Sequence, residues 1–147
     1  MGEGKCPKMS YVFQDDRLLP WLTSIQNVTA VMHDKSEQER ETIAAEILCR
    51  LGLSDALDKF PNELSGGMKQ RVNIARAIAF DADIMLMDEP FKGLDDVSKK
   101  LVKEMILRLK SDKLILLITH DRQDVEELAD RVINLEMTNK AQTVRSP

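Results

Sequence analysis

The feature that most constrains this chain is a pair of short, unbroken apolar runs, Ile84-Met85-Leu86-Met87 and Leu114-Ile115-Leu116-Leu117-Ile118, each halted by polar residues. Runs of this length without alternation fit strands buried on both faces. Between them Val97, Leu101, Met105 and Leu109 recur every four residues, which predicts a helix over about 95–110. Strand, helix, strand implies a parallel pair joined by a right-handed crossover. A second helical stretch, roughly 122–129, leads to a weaker strand candidate, Val132-Ile133-Asn134-Leu135, so the C-terminal half reads as a doubly wound α/β sheet.

The first half is helical. Ser36 with Glu39 forms a capping box, and Ile43, Ala44, Ile47, Leu48 and Leu51 follow at helical spacing up to Gly52. A short helix is expected within 53–63, and Leu64-Ser65-Gly66-Gly67 introduces another carrying Val72, Ile74, Ala75, Ala77 and Ile78. Near the start, Tyr11-Val12-Phe13 reads as a strand that runs into the polar loop Gln14-Asp15-Asp16-Arg17.

Composition narrows the function. The 147 residues carry 21 Lys and Arg against 25 Asp and Glu, a formal charge of -4, and this balance argues against wrapping nucleic acid. Cys6 and Cys49 are far apart without metal-ligand spacing and read as free thiols in a reducing compartment. No apolar run approaches the ~20 residues that span a bilayer. The expected location is cytoplasmic, peripheral at a membrane if a partner brings it there.

In parallel α/β sheets ligands sit beyond the carboxyl ends of the strands. The two runs end in Asp88-Glu89-Pro90 and Thr119-His120-Asp121, so two carboxylates and an imidazole should share one rim. Side chains alternate along a strand, so Asp88 and Glu89 can divide labour: one holds a hydrated Mg²⁺, the other polarises a water. Acidic residues at a solvated strand end fit the same pattern. Ser65 can cap a helix whose first amides Gly66 and Gly67 leave bare, which makes an anion site, or simply a turn before a capped helix. Gln14 can both donate and accept at a strand end. Trp21 reads as packing against the helical region or as a docking surface.

Taken in order, Tyr-Val-Phe-Gln, Leu-Ser-Gly-Gly-Met-Lys-Gln-Arg, Ile-Met-Leu-Met-Asp-Glu-Pro, Gly-Leu-Asp and Ile-Thr-His-Asp closely resemble the nucleotide-binding domain of ATP-binding cassette (ABC) transporters across residues 11–121. The resemblance implies an α/β, P-loop NTPase-like core with a parallel sheet (about 67–147 plus strand 11–13) and a helical subdomain (about 20–66). It implies ATP and Mg²⁺ as ligands. Gln14 and Asp88 would serve the metal, Glu89 would activate water, and His120 would contact the γ-phosphate. Ser65, Gly66, Gly67, Gln70 and Asp95 would belong to the nucleotide-binding signature and D-loop. The implied partners are a transmembrane permease subunit and a second ATP-binding subunit. The stretch from Phe13 to Trp21 is also similar to importers of nitrate, sulfonate or taurine-like anions.

One departure is large. The family carries a Walker A loop, G-x-x-x-x-G-K-[ST], and antiparallel strands ahead of the position that Gln14 resembles, the family's Q-loop glutamine. The opening Met1-Gly2-Glu3-Gly4-Lys5-Cys6 does not supply that loop: no strand precedes Gly2, Cys6 stands where a hydroxyl is needed, and Pro7 opposes helix at Cys6. The expectation is therefore an N-terminally truncated domain, with very weak hydrolysis by itself and uncovered sheet surface that favours a homodimer or strand-exchanged assembly. The competing expectation is a non-catalytic module that binds a full-length subunit or a membrane partner.

Overall fold

Hydroxyl and carboxylate caps start four of the five helices with the residue type that best satisfies bare amides, and a threonine in a capping box starts the fifth. A computed structural model describes residues 6–15 and 17–134. Its elements are β1 (Met9–Val12), α1 (Ser24–Thr29), α2 (Glu37–Arg50), α3 (Gly66–Ala79), β2 (Ile84–Asp88), α4 (Asp96–Leu109), β3 (Leu114–Ile118) and α5 (Arg122–Leu128). Ser36 and Glu39 make the reciprocal capping box expected of α2. Ser65, Asp95 and Asp121 cap α3, α4 and α5 by accepting from Met68, Ser98 and Gln123 backbone N–H groups.

The three strands form one parallel sheet in the order β1-β2-β3, with Met9 opposite Ile84 and Ile84 opposite Leu114. β2 is central because both crossovers meet it: α1 to α3 lie between β1 and β2, and α4 lies between β2 and β3. The first strand covers 9–12 rather than 11–13. Phe13 has left the ladder and stacks on Tyr11, ring centroids 4.0 Å apart, with the Arg17 guanidinium 4.2 Å above its ring. The short helix expected in 53–63 is two single 3₁₀ turns, Ser54–Ala56 and Pro61–Glu63, separated by residues that hydrogen-bond to α1.

One hydrophobic core holds the domain together. Val12, Met85 and Met87 are fully buried in it, with side chains from all five helices, among them Val28, Leu48, Val72, Ile74, Val102 and Leu128. Each such side chain contributes about 1.5–3 kcal/mol of transfer free energy. The opposite sheet face has no such cover among the described residues. There Met9, Leu114, Leu116 and Ile118 are 59%, 57%, 47% and 48% exposed. This corrects the two-faced burial expected of the apolar runs: continuous apolarity records a capacity for burial on both faces, and among the described residues helices meet only one. Val132-Ile133-Asn134 is not strand, and Leu135 lies outside the described residues, as do Met1–Lys5. Trp21 is 68% exposed instead of packed inside.

Candidate functional site

The parallel register brings the carboxyl ends of all three strands to one rim. β1 leads to Gln14, β2 ends at Asp88 and continues to Glu89, and β3 leads to Thr119 and His120. At Glu89 the chain takes φ = 46°, the left-handed region that disfavours any side chain. Its N–H still donates to Ile118 O at 2.9 Å, so the ladder with β3 survives the turn. The carboxylate meets the imidazole: His120 Nδ1 lies 2.7 Å from Glu89 Oε1. The hydrogen bond to Glu89, aided by its charge, raises the His120 pKa above that of an ordinary imidazole. The His120 side chain is 89% exposed, so no packed wall holds it there.

Asp88 occupies the next rim position. Its Oδ2 accepts from Tyr11 Oη at 3.3 Å, across the β1–β2 pair. Partial burial, then the neighbouring Asp88 carboxylate, push the Tyr11 hydroxyl pKa upward. Gln14 is exposed at the end of β1, with no hydrogen bond to Asp88 among the described residues. Nor do three His, Cys, Asp or Glu side chains converge on a metal position among those residues. A Mg²⁺ fits Asp88 only in the manner usual for that ion, through one or two carboxylates completed by water and phosphate oxygens.

The second cluster is the start of α3. Ser65 and Gly66 are exposed, and a Cβ on Gly66 would meet open space. Gly67 differs, because a Cβ there would stand 3.0 Å from Gly93 O. The glycine thus lets α3 press against the loop that runs from Glu89 to Asp95. Gln70, expected among the nucleotide-binding residues, is 4% exposed and donates from Nε2 to Pro90 O at 3.3 Å. It braces α3 against the rim loop instead of facing solvent. Asp95 caps α4, and its hydrogen bonds from Ser98 depress its pKa. No hydrogen bond joins Ser65, Gly66 or Asp95 to Asp88, Glu89 or His120 among the described residues. The expected site residues therefore form two clusters, tied by Gln70 and the close approach at Gly67.

Three polar residues that the sequence did not single out shape the loop after β1. Asn27 is fully buried: its side-chain amide donates to Leu19, Leu22 and Thr23 carbonyls and accepts from Leu19 N–H. Asn73 donates to Phe13 O at 3.4 Å and accepts from Arg76, which also donates to Arg17 O at 2.7 Å. The interruption of α3's apolar stripe by Asn73 and Arg76 was the available signal. For Asn27 it was the Thr23–Gln26 capping box of a helix too short for periodicity to reveal.

Comparison with known proteins gives the family and the fold. Residues 6–92 match the profile of the ABC transporter family. The chain is 44% identical over 139 residues to the bicarbonate transport ATP-binding protein CmpD of Synechocystis sp., covering 90% of this chain and 49% of that protein. It is 41% identical over 135 residues to the nitrate import ATP-binding protein NrtC of Synechococcus elongatus, covering 88% and 20%. A dimeric ATP-binding cassette solved in a post-hydrolysis state with ADP and Pi superposes with a TM-score of 0.75 at 32% identity, covering 82% of this chain and 56% of that one. The chain thus spans about half the length of CmpD and about a fifth of that of NrtC, and the fold is that of a P-loop NTPase-like core with a parallel sheet and a helical subdomain. With its profile, its identity to these relatives and its fold in agreement, the chain belongs to the ABC transporter family.

Proposed function

We propose that this chain is an ATP-binding subunit of an ABC importer, or part of one, and that its sheet rim is the hydrolytic half of an ATP site. The observation that carries this is the 2.7 Å contact of His120 with Glu89, on a residue held at φ = 46° beside Asp88. Asp88 would hold Mg²⁺, which when bound neutralises phosphate charge, and Gln14 would face the same ion from β1. Glu89 would accept a proton from the attacking water, and His120 would orient Glu89 and meet the γ-phosphate. Ser65, Gly66 and Gly67, with Asp95 behind them, form a second, outward-facing half-site suited to a nucleotide carried by another subunit. The exposure of Ser65 and Gly66 supports that reading.

On this reading the rim and the start of α3 are each half of an ATP site, and the proposal expects very weak hydrolysis by residues 1–147 alone. The second reading is a non-catalytic module that binds a full-length ATP-binding subunit, which the exposed start of α3 at Ser65 and Gly66 suits. Relatives named for bicarbonate, nitrate and taurine transport, with the Phe13–Trp21 loop, support a small anion of the nitrate, sulfonate or taurine type as cargo. No helix among the described residues is long and apolar enough to cross a membrane, which suits a peripheral subunit beneath a permease. The uncovered sheet face and the dimeric state of the matched cassette support a homodimer or strand-exchanged assembly.

The test is calorimetric titration with MgATP, with ATPase assays of the wild type and Glu89→Gln. The proposal expects negligible turnover alone and Mg-dependent turnover, lost in Glu89→Gln, once a P-loop-bearing partner subunit is added. Substantial turnover by the chain alone, lost in the variant, would overturn the incompleteness of the site. No stimulation by any partner would leave the non-catalytic reading standing.

A further inference from the structure

The His120–Glu89 contact joins two loops that different strands carry, yet the imidazole is open to solvent and cannot be steered by packing. The backbone bond from Glu89 N–H to Ile118 O aligns the starts of the two loops, but His120 lies two residues beyond it, and a further tie is needed to hold that part of the second loop. The first loop, after β2, runs from Glu89 through Pro90 to the buried ring of Phe91. The second, after β3, runs from Thr119 through His120 to Asp121, which caps α5. One side chain reaches both. Lys99, one turn into α4, donates from Nζ to Asp121 Oδ2 at 2.9 Å, and the same ammonium lies 5.6 Å from the centre of the Phe91 ring.

Lys99 is itself held from below. Its ammonium is 2.7 Å from Asp124 Oδ1 on α5, a carboxylate whose side chain is 2% exposed. Lys103, one turn further along α4, approaches that carboxylate to 2.9 Å and pairs with Glu127 at 2.6 Å. Only Asp124 at the centre of this network is deeply buried; Asp121 and Glu127 at its ends are 41% and 45% exposed, so it is the two lysines' shared anchor on Asp124 that fixes them. Asp121 has two oxygens with two tasks: Oδ1 accepts from Gln123 N–H, and Oδ2 takes the lysine. Its only side-chain tie to another element, among the described residues, is Lys99.

We infer that Lys99 is a positioning residue which, anchored on Asp124, clamps Asp121 against the Phe91 loop and thereby holds His120 on Glu89. The inference rests on the reading of His120 and Glu89 as the reacting rim, but it concerns their geometry and not the presence of nucleotide. Lys99 touches neither of them and acts only through the loops.

The experiment is NMR of the full chain at one fixed pH, reading the imidazole nitrogens. The chain has two histidines, so exposed His33 serves as an internal control. In Lys99→Met the bonded Nδ1 signature of His120 should be lost, matching Glu89→Gln, while His33 and the amides of α1 to α3 stay in place. Lys99→Arg, which keeps the cation and its reach, should restore it. Deleting a cation near an imidazole by itself favours the imidazolium, so a loss of the bonded signature is not a simple charge effect. A folded Lys99→Met with an unchanged His120 signal would overturn the clamp, as would failure of Lys99→Arg to restore it. Should Lys99→Met fail to fold, Asp121→Asn decides: it keeps an oxygen for Gln123 N–H but turns Nδ2 toward the ammonium, and a wild-type His120 signal there would also overturn it. Loss of the signature in a chain that no partner renders active would keep the clamp and remove the hydrolytic reading. A retained signature with partner-dependent turnover would do the reverse.

Discussion

Glu89 sits in the left-handed region at φ = 46°, and this backbone strain can be measured apart from the chemistry of its carboxylate. The comparison is Glu89→Gly with Glu89→Ala, since both delete the contact with His120 and differ only in their backbone preference. A residue with a Cβ in this region costs about 1–2 kcal/mol relative to its right-handed form. Glycine avoids that cost but loses about 0.4–1 kcal/mol through its freer unfolded chain. The difference leaves Glu89→Gly more stable than Glu89→Ala by roughly 0.8 kcal/mol, whereas at an ordinary exposed position alanine would be the more stable. In urea unfolding followed by circular dichroism, with a slope of about 2 kcal/mol/M, this is a midpoint about 0.4 M higher for the glycine variant. If alanine equals or exceeds glycine, the carboxylate is not held on a strained backbone, and the argument that tertiary contacts hold Glu89 toward His120 fails. Asp81, at φ = 52° in the turn before β2, is the internal comparison: aspartate tolerates this region better, so the effect there should be smaller.

Other outcomes follow from the same structure. Gly67→Ala should destabilise by about 1–3 kcal/mol, because the new methyl meets Gly93 O at 3.0 Å. Gly66→Ala, facing open space, should be neutral or stabilising by up to about 1 kcal/mol; thermal melts that rank the two the other way would count against the packing of α3 on the rim loop. The pKa of His120 is raised in the folded chain by its hydrogen bond to Glu89. The stabilising contribution of the pair is therefore fully present below the ordinary imidazole value of about 6.5 and is lost as pH rises through the raised value. In a chemical-shift titration the His120 midpoint should fall toward the ordinary value in Glu89→Gln, and an unchanged midpoint would mean that the pair does not form in solution. Leu116→Lys, on the uncovered sheet face, should change stability by less than about 1 kcal/mol yet reduce self-association by light scattering at micromolar concentration. A wild type that is strictly monomeric under those conditions would refute association through this face.

Much of the architecture was legible because the physics that sets it is local. Ser36 and Glu39 start α2 by satisfying each other's amides, and the four-residue spacing of Val97, Leu101, Met105 and Leu109 identifies α4. The rim was legible as well, since each apolar run stops at the residues that must face solvent beyond a parallel strand, Asp88 and Glu89 on one and His120 on the other. Single-residue roles were less legible. Gln70 reads as a polar signature residue in sequence, yet the approach of α3 to Pro90 buries it, and no local pattern records which loop a helix will meet.

By itself, then, the sequence determined the order of elements, the ends of the strands and the chemical types gathered on one rim, because caps, periodicity and apolar runs act over a few residues. Tertiary structure alone decided three things. It turned Glu89 into a left-handed conformation that its own residue type resists, which a local rule cannot predict. Among the described residues it gave β3 cover on one face only, since burial depends on what packs there and not on the strand's own apolarity. And it brought Lys99 of α4 between Phe91 and Asp121, residues 30 positions apart whose proximity exists only once two parallel strands and their crossover helix are packed together.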